Sequence, residues 1–176
     1  MPAAGLAEPV VSMAEAQAYV RIETGEEEAV LAGLIRTASS LCEAFLDKVV
    51  IARGFAEEVA ASARWQRLSC SPVRSIDLVE AVAFTGAASA LPPGDYGVDI
   101  DASGDGWVRV SHAAGSRVRV SGTAGMAASA NEVPEPIRQG VLRLVAHLYA
   151  SRDGGGGEPP AAVTALWRPY RRMRLA

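Results

Sequence analysis

Three carboxylates fall within eight residues at Asp99, Asp101 and Asp105, in the run Asp99-Ile100-Asp101-Ala102-Ser103-Gly104-Asp105-Gly106. Hard oxygen ligands at such spacing are what a calcium loop uses. The helix–loop–helix version of that loop also needs a bidentate glutamate at its twelfth position, and counting from Asp99 that position is Val110. Strand-like alternation flanks the run where calcium loops have helices, so a polar turn is expected here. His112 and His147 are the only two histidines. Neither stands in a zinc or metalloprotease spacing, and two cannot supply a three-histidine site. Cys42 lies on the apolar side of a helical pattern, where a free thiol behaves as a small hydrophobe. Cys70, in Leu68-Ser69-Cys70-Ser71-Pro72, would need a neighbouring base to act as a nucleophile. No nucleophile elbow, phosphate-binding loop or dinucleotide fingerprint is present in the sequence. The residues thus predict no catalytic group, no metal and no cofactor. An enzyme built on Cys70 or on the Asp99–Asp105 loop is the alternative that thiol reactivity or metal binding would reveal.

The stretch richest in binding chemistry lies at the C-terminus. Trp167, Tyr170, Met173 and Leu175 interleave there with Arg168, Arg171, Arg172 and Arg174. Tryptophan, tyrosine and arginine dominate binding hot spots. Four glycines, 154–157, precede the stretch and read as a hinge. The composition favours a segment that leaves the subunit for a partner surface over a terminal helix folded back on its own domain. A DNA-binding regulator using the arginines is a third possibility, tested by a salt-dependent shift with duplex DNA.

The elements that must position these residues can be read from periodicity. Ser12-Met13-Ala14-Glu15 has the spacing of a capping box and opens a short helix to about Ile22, with Met13, Ala16 and Val20 on one side. Glu26-Glu27-Glu28 then place negative charge at a second helix N-terminus. Val30, Leu31, Leu34, Ile35, Ala38, Leu41, Cys42, Phe45 and Leu46 follow helical spacing with one apolar face, opposed by residues that include Ser39. Residues 49–125 change to strand character. Alternation marks Trp107-Val108-Arg109-Val110 and Arg117-Val118-Arg119-Val120, which residues 113–116 would join as a hairpin. Ser75 to Thr85 reads as another of four to six antiparallel strands. Pro134 or Pro136 opens a helix with Ile137, Val141, Leu144, Val145 and Leu148 on its apolar face. After the 153–160 hinge, Pro159-Pro160 start a short helix to Trp167, and Pro169 stops it. The fold class expected is α+β: an N-terminal helical hairpin over 11–48, an antiparallel β insert over 49–125, and C-terminal helices over 134–152 and 161–176 ending in an extended basic tail. All of it, 1–176, is expected to act as one domain.

Composition agrees with a folded chain. Of 176 residues, 49% are apolar and 21% charged; 33 are alanine, and the larger apolar residues still suffice for a core. No continuous apolar run reaches the roughly 18 residues that span a bilayer, the N-terminus lacks the pattern of a signal peptide, and two cysteines are too few for a disulfide scaffold. The expectation is folding in a reducing compartment, with no membrane. The net charge of −3 argues against a dedicated nucleic-acid binder, but its distribution is uneven. Residues 1–60 carry 4 basic and 10 acidic side chains, whereas residues 134–176 carry 7 and 3. Ends of opposite sign suit head-to-tail or partner contacts.

Taken in order, several motifs resemble those of one family. These are Val11-Ser12-Met13-Ala14-Glu15-Ala16 leading to Tyr19-Val20-Arg21-Ile22, then Leu31-Ala32-Gly33-Leu34-Ile35, Ser71-Pro72-Val73-Arg74-Ser75-Ile76 and Asp95-Tyr96-Gly97-Val98-Asp99. Val133-Pro134-Glu135-Pro136-Ile137, Leu144-Val145-Ala146-His147-Leu148-Tyr149 and Pro169-Tyr170-Arg171-Arg172-Met173-Arg174-Leu175 follow. From Val10 to Leu175 the chain resembles the head–tail connector, or adaptor, proteins of long-tailed phages, and especially the similar adaptors of bacterial gene transfer agents. The resemblance implies a non-enzymatic protein made in the bacterial cytoplasm and built into the particle neck. It implies a homo-oligomeric ring, typically of twelve, docked on the portal protein and meeting a stopper or tail-terminator protein. Duplex DNA would pass through its channel without specific binding. The portal-binding role then falls on Trp167, Arg168, Tyr170, Arg171, Arg172, Met173, Arg174 and Leu175. A tail-completion or stopper protein of the same neck is the runner-up.

Overall fold

The computed structural model describes residues 8–22, 27–111, 116–151 and 159–172. It divides into two compact units: one built on Ala52–Met126, the other on Leu6–Ile51 together with Ala127–Ala176. The α+β class, with an antiparallel insert between N-terminal and C-terminal helices, is as the sequence reading expects.

The helical unit begins with α1, Met13–Val20, entered through the expected capping box. The Glu15 backbone N–H donates to Ser12 Oγ at 3.2 Å, and the Ser12 N–H donates to the Glu15 carboxylate at 2.8 Å. Helix α2, Glu28–Leu46, packs on α1 and on α3, Glu135–Ala150. Leu31, Ile35, Ala38, Cys42 and Leu46 of α2 are buried, as are Ile137, Val141, Leu144 and Val145 of α3. The apolar face read from α2 was too wide. Val30 and Leu41 are 48% and 44% exposed, whereas Ser39, assigned to the polar side, is buried. A helix packed on neighbours covers one stripe, here 31, 35, 38, 42 and 46. Apolar residues one position off that stripe are left on the flank. By length and mean hydropathy α2 could also span a bilayer. No continuous apolar run marks it, because Arg36 and Glu43 interrupt the helix, whose buried stripe is packed within its own unit.

The β unit holds two antiparallel sheets. In the first, β1 (Arg53–Ala60), β7 (Arg117–Ala124), β3 (Val73–Val82) and β4 (Ala88–Ala90) lie side by side in that order. In the second, β6 (Gly106–Val110) runs between β2 (Gln66–Arg67) and β5 (Tyr96–Ile100). The two alternating segments are strands, with Val108, Val110, Val118 and Val120 buried. They are not a hairpin. β6 uses its two edges for β2 and β5, and β7 uses its own for β1 and β3, so neither has an edge left for the other. Residues 112–115, with His112, lie outside the described residues.

Candidate partner-binding segment

Two of the three carboxylates, Asp101 and Asp105, are taken up by hydrogen bonds and an ion pair around the turn. Asp101 Oδ1 accepts from the backbone N–H of Ser103 at 2.8 Å and of Asp105 at 3.0 Å, while Oδ2 accepts from the Trp107 indole at 3.0 Å. The Trp107 bond first, then those backbone donors, hold the Asp101 carboxyl below its ordinary range. Asp105 pairs with Arg67 at 2.8 Å and accepts from the Ser71 hydroxyl at 3.1 Å. Asp101 and Asp105 thus pin a turn between β5 and β6. Among the described residues no three His, Cys, Asp or Glu side chains group to hold a metal ion. Cys42 is buried, and desolvation pushes its thiol well above the ordinary range, which keeps it protonated and unreactive. Cys70 is buried too, and His147 sits half-buried on α3.

The basic aromatic segment is placed by a short helix, α4, Ala161–Trp167, which Pro160 opens, and by a 3₁₀ turn over Arg168–Tyr170. Trp167 faces inward and is 3% exposed. Its Nε1–H donates to the Ile137 carbonyl at 3.1 Å, and its ring lies 5.8 Å from that of Phe45, tilted by 50°. Gly140 makes room for it: a Cβ at that position would lie 2.1 Å from the indole nitrogen. Beyond Trp167 the chain caps the end of α2. The Arg172 N–H donates to the Leu46 carbonyl at 2.9 Å, and the Arg172 guanidinium stands 3.8 Å from Asp47, while Arg171 lies 5.3 Å over the Phe45 ring. A cation beside a helix C-terminus is favourable, since its last carbonyls are unpaired and carry partial negative charge.

This corrects the expectation that the segment leaves the body of the subunit. Residues 161–172 pack back on α2 and α3, because the Trp167 indole has a fitted hole within its own unit. Arg168 and Arg171 are exposed and Tyr170 is half-buried; Met173, Arg174 and Leu175 lie outside the described residues. The sequence reading missed Gly140, Phe45 and Asp47 as partners of the segment. A glycine in the middle of an otherwise good helix was the available signal.

Part of the charge asymmetry is also used inside the helical unit. Arg138 of α3 donates to the Glu15 carboxylate and to the Val10 and Ala130 carbonyls; Tyr149 donates to Glu27; Arg172 meets Asp47. The acidic first third and the basic last third therefore pair within one chain before any partner is involved.

No protein-family model matches the chain, and no curated protein matches it. Solved structures do. A chain in the neck of an empty gene transfer agent particle, computed with C6 symmetry, is 27% identical with a TM-score of 0.76, covering 95% of this chain and 92% of that one. A chain in the virion of the native particle is 26% identical with a TM-score of 0.75, covering 97% and 94%. One in the native neck computed with C12 symmetry is 25% identical with a TM-score of 0.75, covering 100% and 97%. Motif order and whole-chain fold point the same way: this is a head–tail connector-like protein, similar to chains of the gene transfer agent neck and virion.

Proposed function

We propose that this chain is a structural, non-catalytic subunit of the neck that joins a DNA-filled head to its tail in a gene transfer agent or phage-like particle. Copies form a ring, of twelve by the family resemblance, and the whole chain from 1 to 176 works as one connector. The portal lies on one side of the ring, a stopper or tail-terminator on the other. The observation that carries the reading is likeness over 95% of the chain to a neck component. Heterologous contacts between identical copies close into rings when the rotation permits.

The portal contact is made by the outward part of the C-terminal segment. Arg168, Tyr170 and Arg171 are held in place by Trp167; Met173, Arg174 and Leu175 follow them in the sequence and are proposed to join the same contact, while Arg172 pairs with Asp47. Trp167 positions this surface and does not touch the portal. The arginines would meet carboxylates or carbonyls, where bidentate pairing gives orientation as well as attraction.

Full-length protein incubated with portal rings of the same particle should co-sediment with them and form a second ring visible by electron microscopy. The double variant R168E/R171E should keep its circular dichroism and lose about tenfold or more in portal affinity, the equivalent of about 1.4 kcal/mol. Undiminished docking would move the portal contact elsewhere on the chain. Failure of the wild-type protein to join portal rings would remove the connector reading itself.

A further inference from the structure

Among the described residues, two apolar features stand out as exposed. One is the tip of the β3–β4 hairpin. Ala83 N–H donates to the Ala87 carbonyl at 2.8 Å and Gly86 N–H to the Ala83 carbonyl at 2.9 Å, with Gly86 at φ +88°, where glycine carries no steric cost. This tight loop holds Phe84 entirely in solvent. From Ala81 to Leu91 no side chain is charged, so the hairpin is an uncharged finger with an aromatic tip. The other is a shallow groove on the outer side of α2, lined by Gly33, Arg36, Thr37, Ser40, Leu41 and Ala44. Leu41 there is 44% exposed, and the Thr37 hydroxyl is already spent on the Gly33 carbonyl at 3.0 Å.

We propose that the Phe84 finger of one copy seats in the α2 groove of the next copy, forming a contact of the ring. This rests on the neck reading above. Duplex DNA would not hold the finger, which offers no cation to phosphate. A second copy fits better than an unrelated partner for two reasons. A ring of three or more copies requires each copy to carry two different, complementary surfaces, and the similar chains belong to assemblies computed with C6 and C12 symmetry. The groove also matches the finger chemically. Small residues at Gly33 and Ala44 leave the shallow groove free of bulky side chains there, Leu41 supplies apolar contact, and the Arg36 guanidinium beside Gly33 can lie over the aromatic face.

The test is cross-linking on the portal. Full-length F84C/L41C, assembled on portal rings and treated with a short bismaleimide, should give a ladder of covalent oligomers beyond the dimer. F84C and L41C alone should stop at dimers. The single variant F84S should keep the wild-type melting profile and circular dichroism while occupying portal rings at least tenfold more weakly. A ring that assembles normally on the portal but yields no ladder from F84C/L41C overturns the finger–groove contact and leaves the neck reading standing. So does an F84S ring that assembles as wild type but fails to recruit the tail-side protein, since the finger would then serve that partner. Absence of any ring with the wild-type chain overturns the neck reading instead.

Discussion

Gly140 and Trp167 form a pair in which a missing side chain is as necessary as a large one. Adding a methyl at Gly140 would place carbon 2.1 Å from the indole nitrogen, so the ring must swing out and give up its bond to the Ile137 carbonyl. Overpacking of this kind costs about 1–3 kcal/mol. G140A should therefore lower stability by that order in denaturant unfolding, although alanine is the better helix former. A neutral or stabilising result would mean that the indole is not seated as described. Glu15 gives a second expectation at this scale. Its carboxyl is held below the ordinary range, first by the Ser12 backbone N–H, then by the Ser12 hydroxyl and Arg138, with burial opposing. A carboxyl lowered in the folded state contributes stability that is present above its unfolded pKa and lost as pH falls through the folded value. E15Q, which cannot titrate, should lack that contribution at neutral pH and lose less stability than wild type on acidification. Parallel urea midpoints for the two proteins from neutral to acid pH would show that the pairing adds nothing.

Helix α2 carries two kinds of apolar residue, and only one kind belongs to the packed core. Ile35 is 3% exposed, so I35A should cost about 2–5 kcal/mol in denaturant unfolding. Leu41 is 44% exposed, so L41A should change stability by less than about 0.5 kcal/mol in the isolated subunit. Equal losses at both positions would place the core on the wrong stripe. The C-terminal element works differently from a free tail. Its anchor residue fills a hole between α3 and α2, and its backbone caps the last turn of α2. Any docking surface on it is thus presented from an ordered base, which lowers the ordering cost paid on binding.

At the scale of the molecule, charge decides how the chain treats DNA. The net charge is −3, and Arg138 and Arg172 are already engaged with Glu15 and Asp47. Acidic side chains outnumber basic ones, 20 to 17, so the chain as a whole does not attract a duplex, and binding through its exposed arginines should be weak, without sequence preference, and should fade as salt rises. Titration into labelled duplex DNA at about 150 mM salt should give no saturable binding below about micromolar concentration, the range where nonspecific binders sit. Submicromolar, sequence-selective binding would overturn the connector reading. Under the proposed neck role, a wall that does not grip duplex DNA is what a channel for DNA requires.

The sequence alone determined whatever depends on neighbours along the chain. The capping box at Ser12–Glu15, the helical spacing of α2 and α3, the alternation in β6 and β7 and the polar turn at Asp101–Asp105 arise from residues within a few positions of one another. The ordered motifs were also enough to suggest a connector. It could not determine which partner each element takes. β7 pairs with β1 and β3 and not with its neighbour β6, because strand edges are satisfied by whichever backbones the whole sheet brings alongside. Leu41 and Ser39 exchange their expected places because burial on a helix is decided by the elements packed against it. Residue types marked 167–175 as a binding segment, but whether Trp167 faced a partner or its own subunit depended on a gap at Gly140 on another helix. Only the tertiary structure, which sets that gap opposite the indole, could decide it.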